Sequence, residues 1–177
     1  MGMASGAALT GLRPVAELMF VDFMGVCFDQ ILNQTAKFRY MFGGKAETPL
    51  TIRTMYGGGL RAASQHSQCL YPMFTHVPGI KVVLPSNPYD AKGLLISSIE
   101  DKNPVIFVEH RMLYSNVGYV PEELYEVEFG KGRVLVEGTD ITLVGVSYTV
   151  TDCIRASLAL KEIGISAEVI DPVSLSP

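Results

Sequence analysis

The segment Tyr56-Gly57-Gly58-Gly59-Leu60-Arg61-Ala62-Ala63-Ser64-Gln65-His66-Ser67-Gln68 concentrates reactive chemistry. Three adjacent glycines let the backbone take positive φ and approach a ligand closely. The polar run that follows offers hydroxyl, amide and imidazole groups, and His66 is its candidate for proton transfer. A flexible glycine turn leading into a capped helix is the alternative reading. The pattern is neither a Walker loop nor GxGxxG, so phosphate binding by this loop is unsupported.

The other histidines carry less. His66, His76 and His110 lack metal-ligand spacing with one another or with a cysteine, and no HExxH occurs, which argues against zinc. His76, near a helix end, and His110, at a strand end beside Glu109, read as structural histidines. Asp101-Lys102-Asn103-Pro104 places oxygen-bearing side chains two residues apart, as a hard cation would use, but ordinary turn chemistry explains the same residues. Phe23 lies where a strand gives way to a helix, and it either fills the core or presents a face to a heterocycle.

The elements that must position these groups alternate. Apolar runs at 15–20, 50–54, 80–84, 105–109, 127–136, 141–146 and 167–170 read as strands, and 24–40, 65–76, 88–99 and 150–163 read as helices. This alternation predicts an α/β fold of βαβ units, and the continuous apolar runs predict a parallel sheet buried on both faces. Ligands bind such sheets outside the carboxyl ends of the strands, which is where the loop containing His66 falls. Ser86 or Asn87 can cap the helix that opens at Pro88, and Gly79 and Gly164 mark helix exits.

Composition narrows the class. The chain has 177 residues, is 48% hydrophobic and 18% charged, and carries a net charge of −4. That composition excludes disorder, and no uninterrupted apolar stretch reaches the ~18 residues of a membrane span. The acidic balance, without any cluster of Lys and Arg, argues against nucleic acid as a partner. Three scattered cysteines, Cys27, Cys69 and Cys153, read as reduced core residues. The opening residues have neither signal-peptide form nor a myristoylation pattern, so the cytoplasm or an organelle matrix is expected. The acidic stretch PEELYEVEFGK marks a linker, giving domains at 1–120 and 138–177 joined by 121–137. The single βαβ unit after the linker and the Gly/Ala-rich opening suggest that both domains continue beyond the ends of this sequence.

Five blocks in order, GAALTGLRPVAELMFVDF, FDQILNQTAKFRYMFGG, QHSQCLYPMFTHVPGIKVVLPSNPYDAKGLL, DKNPVIFVEHRMLY and GKGRVLVEGTDITLV, cover most of the chain. Together they resemble the β subunits of thiamin-diphosphate-dependent 2-oxo acid dehydrogenases, most of all the acetoin and pyruvate types. The resemblance implies a transketolase-like pyrimidine-binding domain followed by the beginning of a transketolase C-terminal domain. It implies that His66, in the QHSQ block, touches substrate and the cofactor-bound intermediate and helps proton transfer. Phe23 matches the aromatic that packs against the aminopyrimidine ring. A structural potassium ion in the family is held by a loop matching 98–103 and a strand residue matching Leu50. That implies Asp101 and Asn103 as ligands, with main-chain carbonyls of Leu50, Ser98 and Ile99.

The resemblance also implies partners. Thiamin diphosphate would be shared with an α subunit that holds Mg²⁺ through a GDG motif missing here, within an α2β2 heterotetramer serving a lipoyl-bearing acyltransferase. The family's glutamate that drives cofactor activation falls before Gly2, so these residues alone are expected to be inactive. Two rivals share the fold: a non-catalytic ligand-binding or interaction module, and part of a transketolase or deoxyxylulose-phosphate synthase.

Overall fold

The computed structural model describes residues 1–176. Its main sheet holds β1 (Val15–Leu18), β2 (Thr51–Tyr56), β3 (Lys81–Val83) and β4 (Val105–His110), all parallel, in the order β1-β2-β4-β3. The apolar run of β4 explains its central place, because alternate residues serve different faces. Ile106 and Val108 join a core containing Ile31, Ile52, Val82 and Phe74, whereas Val105 and Phe107 join Val83, Leu94 and Val127 on the other side. The register pairs Thr51 with Val105 and Tyr56 with His110, so β2 and β4 end side by side.

Several expected elements are shorter or differently built. The sheet is mixed rather than wholly parallel: a further strand, Ser174–Ser176, pairs antiparallel with β3. Its sequence is too short and polar to be recognised as a strand. The expected helix 24–40 is a 3₁₀ segment at Val21–Cys27, a π-helical turn at Gln30–Thr35 and the short helix Phe38–Met41. There the Thr35 hydroxyl donates to the carbonyl of Gln30 at 2.8 Å and contacts the Ser5 hydroxyl at 2.5 Å. Ser5 belongs to helix Gly2–Leu9, so the wide turn follows a contact between distant segments.

The expected helix 65–76 is helical only at Pro72–Thr75. A proline is tolerated at a helix start, and the Ser67 hydroxyl is occupied by the Ala62 amide at 2.8 Å. Helix Pro88–Glu100 forms as expected, with the Asn87 side chain accepting from the Asp90 amide at 2.9 Å. Gly164 follows the helix cap Ile163 with positive φ, as a helix exit requires, whereas Gly79 lies beyond the cap His76, and its positive φ serves a close approach in which a Cβ would stand 2.2 Å from the Ala36 carbonyl oxygen.

The expected strand 127–136 forms only at Arg133–Val136, because Gly130 turns at φ +77 and its amide donates to the Ser174 hydroxyl. This strand lies inside the segment expected as linker. It pairs antiparallel with Ala167–Asp171, which pairs parallel with Ile141–Val144, the last two being joined by helix Tyr148–Glu162. Buried polar groups tie this smaller sheet to the main one: Ser86 donates to the Asp171 carboxylate at 2.5 Å, and Arg133 pairs with buried Asp90 at 2.6 Å. Among the described residues no helix is long and apolar enough to cross a membrane.

Candidate active site

Strand β2 delivers the chain to Tyr56, which is buried edge-on between Tyr71 and His110. The glycine loop then folds back on itself. A Cβ at Gly57 would stand 2.0 Å from the carbonyl oxygen of His66, so only glycine lets these two backbones meet. Gly59 turns at φ +82, and the amide of Leu60 closes onto the Gly57 carbonyl at 2.9 Å. Arg61 and Ala63 adopt φ of 59° and 60° without being glycine. Such strain persists where surrounding contacts over-determine it, and it clusters at functional sites.

The loop leaves His66 half-buried at the carboxyl edge of the sheet. Its ring stands edge-on to Phe20 at 4.8 Å between centroids and edge-on to Phe23 at 5.4 Å. Phe23 keeps 36% of its surface exposed, so it is a wall rather than core. Gln68 donates to Asp22 Oδ1 at 2.7 Å and joins the loop to the 3₁₀ segment carrying Phe23. The other oxygen, Asp22 Oδ2, is buried without a hydrogen-bond partner. Asp22 was visible in the sequence only as the polar member of the MFVDF block. The site thus combines an exposed aromatic face and an imidazole, a set that suits a flat heterocycle.

The two remaining histidines differ. His76 is exposed at the end of helix Pro72–Thr75. His110 is buried, and both its ring nitrogens are engaged: Nδ1 accepts the Met112 amide at 3.1 Å, and Nε2 meets the Gly58 carbonyl at 2.9 Å. A cavity of about 280 Å³ lies beside it, lined by Arg53, Asn87, Glu109, Tyr114 and Asn116 among others. There Arg53 bridges Glu17 and Glu109 at 2.9 and 2.7 Å, and Tyr114 donates to Glu109 at 3.0 Å. Burial first, and then the neighbouring Glu109, push the Tyr114 hydroxyl up to about 12.

The residues expected around a cation gather at the opposite end of the strands. Leu50 leads into β2, and its carbonyl accepts the Val105 amide at 3.0 Å. Helix Pro88–Glu100 ends among the others, where the Ser98 hydroxyl donates to the Leu94 carbonyl at 2.6 Å. The carbonyls of Ile99 and Asp101 accept from Arg13 Nη1 at 2.6 and 3.0 Å. The Asp101 carboxylate accepts from the Asn103 amide at 2.8 Å and pairs with Lys81, and Asn103 Oδ1 accepts from Arg39 at 3.1 Å. As arranged, the oxygens of Ile99, Asp101 and Asn103 face protein cations. Thr48 Oγ1, just before Leu50, is buried without a partner. Among the described residues no group of three His, Cys, Asp or Glu could hold a metal.

The chain resembles known proteins along its length. Residues 1–116 match the transketolase pyrimidine-binding domain, and residues 130–177 match the transketolase C-terminal domain. The acetoin:2,6-dichlorophenolindophenol oxidoreductase β subunit of Bacillus subtilis is 59% identical over 177 residues, all of this chain and 52% of that protein. The pyruvate dehydrogenase E1 β subunit of Staphylococcus epidermidis is 44% identical over 99% of this chain and 54% of its own length. The chain therefore spans about half the length of these curated relatives. Among solved structures, a split-gene transketolase described as an inactive β4 tetramer aligns with a TM-score of 0.78. It shares 26% identity and is matched over 98% of this chain and 53% of that one.

Proposed function

Because the chain belongs to the transketolase pyrimidine-binding-domain family and is related along its whole length to acetoin and pyruvate dehydrogenase β subunits, we propose that it is part of the β subunit of a thiamin-diphosphate-dependent dehydrogenase acting on acetoin or pyruvate. Its edge around His66 and Phe23 forms the pyrimidine-side wall of a cofactor site that an α subunit completes and supplies with Mg²⁺. The observation that carries this reading is the packing of His66 against Phe20 and Phe23 on the rim where an open α/β sheet binds ligands.

When bound, thiamin diphosphate supplies a carbon nucleophile and an electron sink for cleaving the bond next to a carbonyl. The chain's own residues do the rest. Phe23 would offer its exposed face to the aminopyrimidine. Phe20 and Phe23 keep water from one flank of the imidazole. His66 holds a proton at a ring nitrogen and exchanges it with the substrate oxygen, the work of a general acid–base group. In an assembled α2β2 enzyme the unit left by cleavage would go to the lipoyl group of an acyltransferase, whose disulfide would be the oxidant, one sulfur taking the acyl group and the other becoming a thiol.

A structural potassium ion at Leu50, Ser98, Ile99, Asp101 and Asn103 belongs to the same proposal. Each main-chain carbonyl has a second lone pair, and the unpartnered Thr48 hydroxyl adds a further oxygen. Such an ion would compete with Arg13 for the Ile99 and Asp101 carbonyls.

The enzyme reading is tested by combining the complete β chain with its α partner and following acetoin- and pyruvate-dependent reduction of a dye acceptor. Turnover that requires both chains and thiamin diphosphate supports it. Absence of thiamin-dependent turnover with either substrate contradicts it.

A further inference from the structure

His110 is 3% exposed, yet no step assigned to the site uses it. Its bonding fixes its state. Because Nδ1 accepts the Met112 amide, the ring hydrogen sits on Nε2, which donates to the carbonyl of Gly58. Burial pushes the imidazolium down, which keeps the ring neutral and that arrangement intact. Tyr56 packs edge-on to the ring at 4.3 Å, and Tyr148, from the helix of the smaller sheet, stacks on it at 4.8 Å with planes 20° apart. The ring is therefore fixed in position, orientation and tautomer.

Gly58 is the middle of the glycine loop. Its neighbour Gly57 lies so close to His66 that a single added carbon would collide with the His66 carbonyl. The contacts run without a gap: the His110 ring holds the Gly58 carbonyl, Gly58 is bonded to Gly57, and Gly57 abuts the backbone of His66. With both nitrogens committed to the main chain, His110 has no free nitrogen to act as an acid or base on substrate.

We propose that His110 is a positioning residue for His66: as the neutral Nε2–H tautomer it anchors the glycine loop and thereby sets where the His66 imidazole stands against Phe20 and Phe23. Tyr148 extends the support, so the smaller sheet bears on the geometry of the loop through a stacked ring. The claim rests on the role given to His66 above and deepens it.

The test uses His110→Phe and His110→Gln in the complete β chain. Phe keeps a ring for Tyr148 and removes both polar contacts, whereas Gln retains a donor near the Nε2 position. Amide hydrogen exchange across 57–68, read without cofactor, should speed up at least about fivefold in His110→Phe, as loss of one hydrogen bond predicts. It should return toward the native rate in His110→Gln. In the α/β enzyme, His110→Phe should lower kcat by about ten- to a hundredfold with little change in KM, as displacement of a catalytic group does. His110→Gln should recover much of that loss. Unchanged exchange in His110→Phe, or unchanged kcat despite faster exchange, overturns the proposal. If His110→Phe fails to fold, His110→Gln decides: near-native exchange and kcat support the donor role, and loss of both refutes it. A parallel His66→Ala variant separates the two claims, because unchanged turnover there would refute the role of His66 while the exchange data still judge the anchor.

Discussion

The ring of Phe23 stands edge-on to the imidazole of His66, with centroids 5.4 Å apart and planes 78° apart, although the two residues come from different loops. Phe23 is carried by the 3₁₀ segment after β1 and His66 by the glycine loop after β2. The bond from Gln68 to Asp22 holds these two loops together. The apolar wall and the ionisable group therefore share one rim, as cofactor stacking and proton transfer at a single site require. In the assembled enzyme, His66→Ala should lower turnover by about 10²–10⁴, the range for a lost acid–base group. Steady-state kinetics of acyl transfer check this, and unchanged turnover would remove His66 from the chemistry.

Adjacent glycines in the loop should respond differently to one methyl group. At Gly57 the added carbon would meet backbone at 2.0 Å, whereas at Gly58 the nearest atoms are ring carbons at 3.7 Å. Gly57→Ala should destabilise the chain by about 1–3 kcal/mol and displace His66, as overpacking against main chain does. Gly58→Ala should stay within about 1 kcal/mol of the native chain, the scale of a tolerated glycine replacement. Urea unfolding of the two variants gives the comparison, and equal stability would show that the close approach is absent.

Stability should fall on mild acidification because of His110. Burial lowers its folded pKa below the ordinary 6.5, outweighing its bond to Gly58 and the charge of Asp152. The unfolded chain therefore takes up a proton near pH 6.5 before the folded chain does, and its uptake favours unfolding. The contribution is present above pH 6.5 and is lost as pH falls through the lowered value. Asp171 works with the opposite sign: burial raises it, so its contribution is present below its ordinary 3.8 and lost as pH rises through the raised value. Melting temperatures at pH 7.5 and about 5.5 should show a drop in the native chain and a smaller one in His110→Gln. Equal drops would place the sensitivity elsewhere.

Potassium should stabilise the turn after helix Pro88–Glu100 if carbonyls of Leu50, Ser98 and Ile99 bind it alongside Asp101 and Asn103. At millimolar K⁺ well above its dissociation constant, mass action predicts a gain of about 2–3 kcal/mol over the same Na⁺ concentration. Differential scanning calorimetry in the two chlorides measures it. Identical unfolding curves would leave Arg13 as the cation at the Ile99 and Asp101 carbonyls.

Much of the frame was legible because local chemistry and final structure agree. The run at β4 is apolar on both faces and became the doubly covered centre of the sheet, and Asn87 with Pro88 opened the helix they signalled. His66 could be picked out because three glycines and a polar run after a strand have few local explanations. What escaped depends on distant partners. The π-helical turn follows from Ser5 meeting Thr35, and the antiparallel edge strand follows from Ser174–Ser176 reaching β3. The use of His110 required the register that sets Tyr56 beside it and so brings Gly58 within reach. Asp22 gave no signal until Gln68, far along the chain, was placed against it.

Phe23 and His66 are proposed to form one wall of a coenzyme site closed by another polypeptide. Calorimetric titration of thiamin diphosphate with Mg²⁺ into the α/β complex, the Phe23→Ala complex and the β chain alone tests it directly. Binding to the native complex is expected, with affinity weakened by about tenfold without the aromatic face, as a lost stacking contact of ~1–1.5 kcal/mol gives, and no comparable binding to the β chain by itself. Equal affinity in the native and Phe23→Ala complexes, or full affinity in the isolated chain, would contradict it.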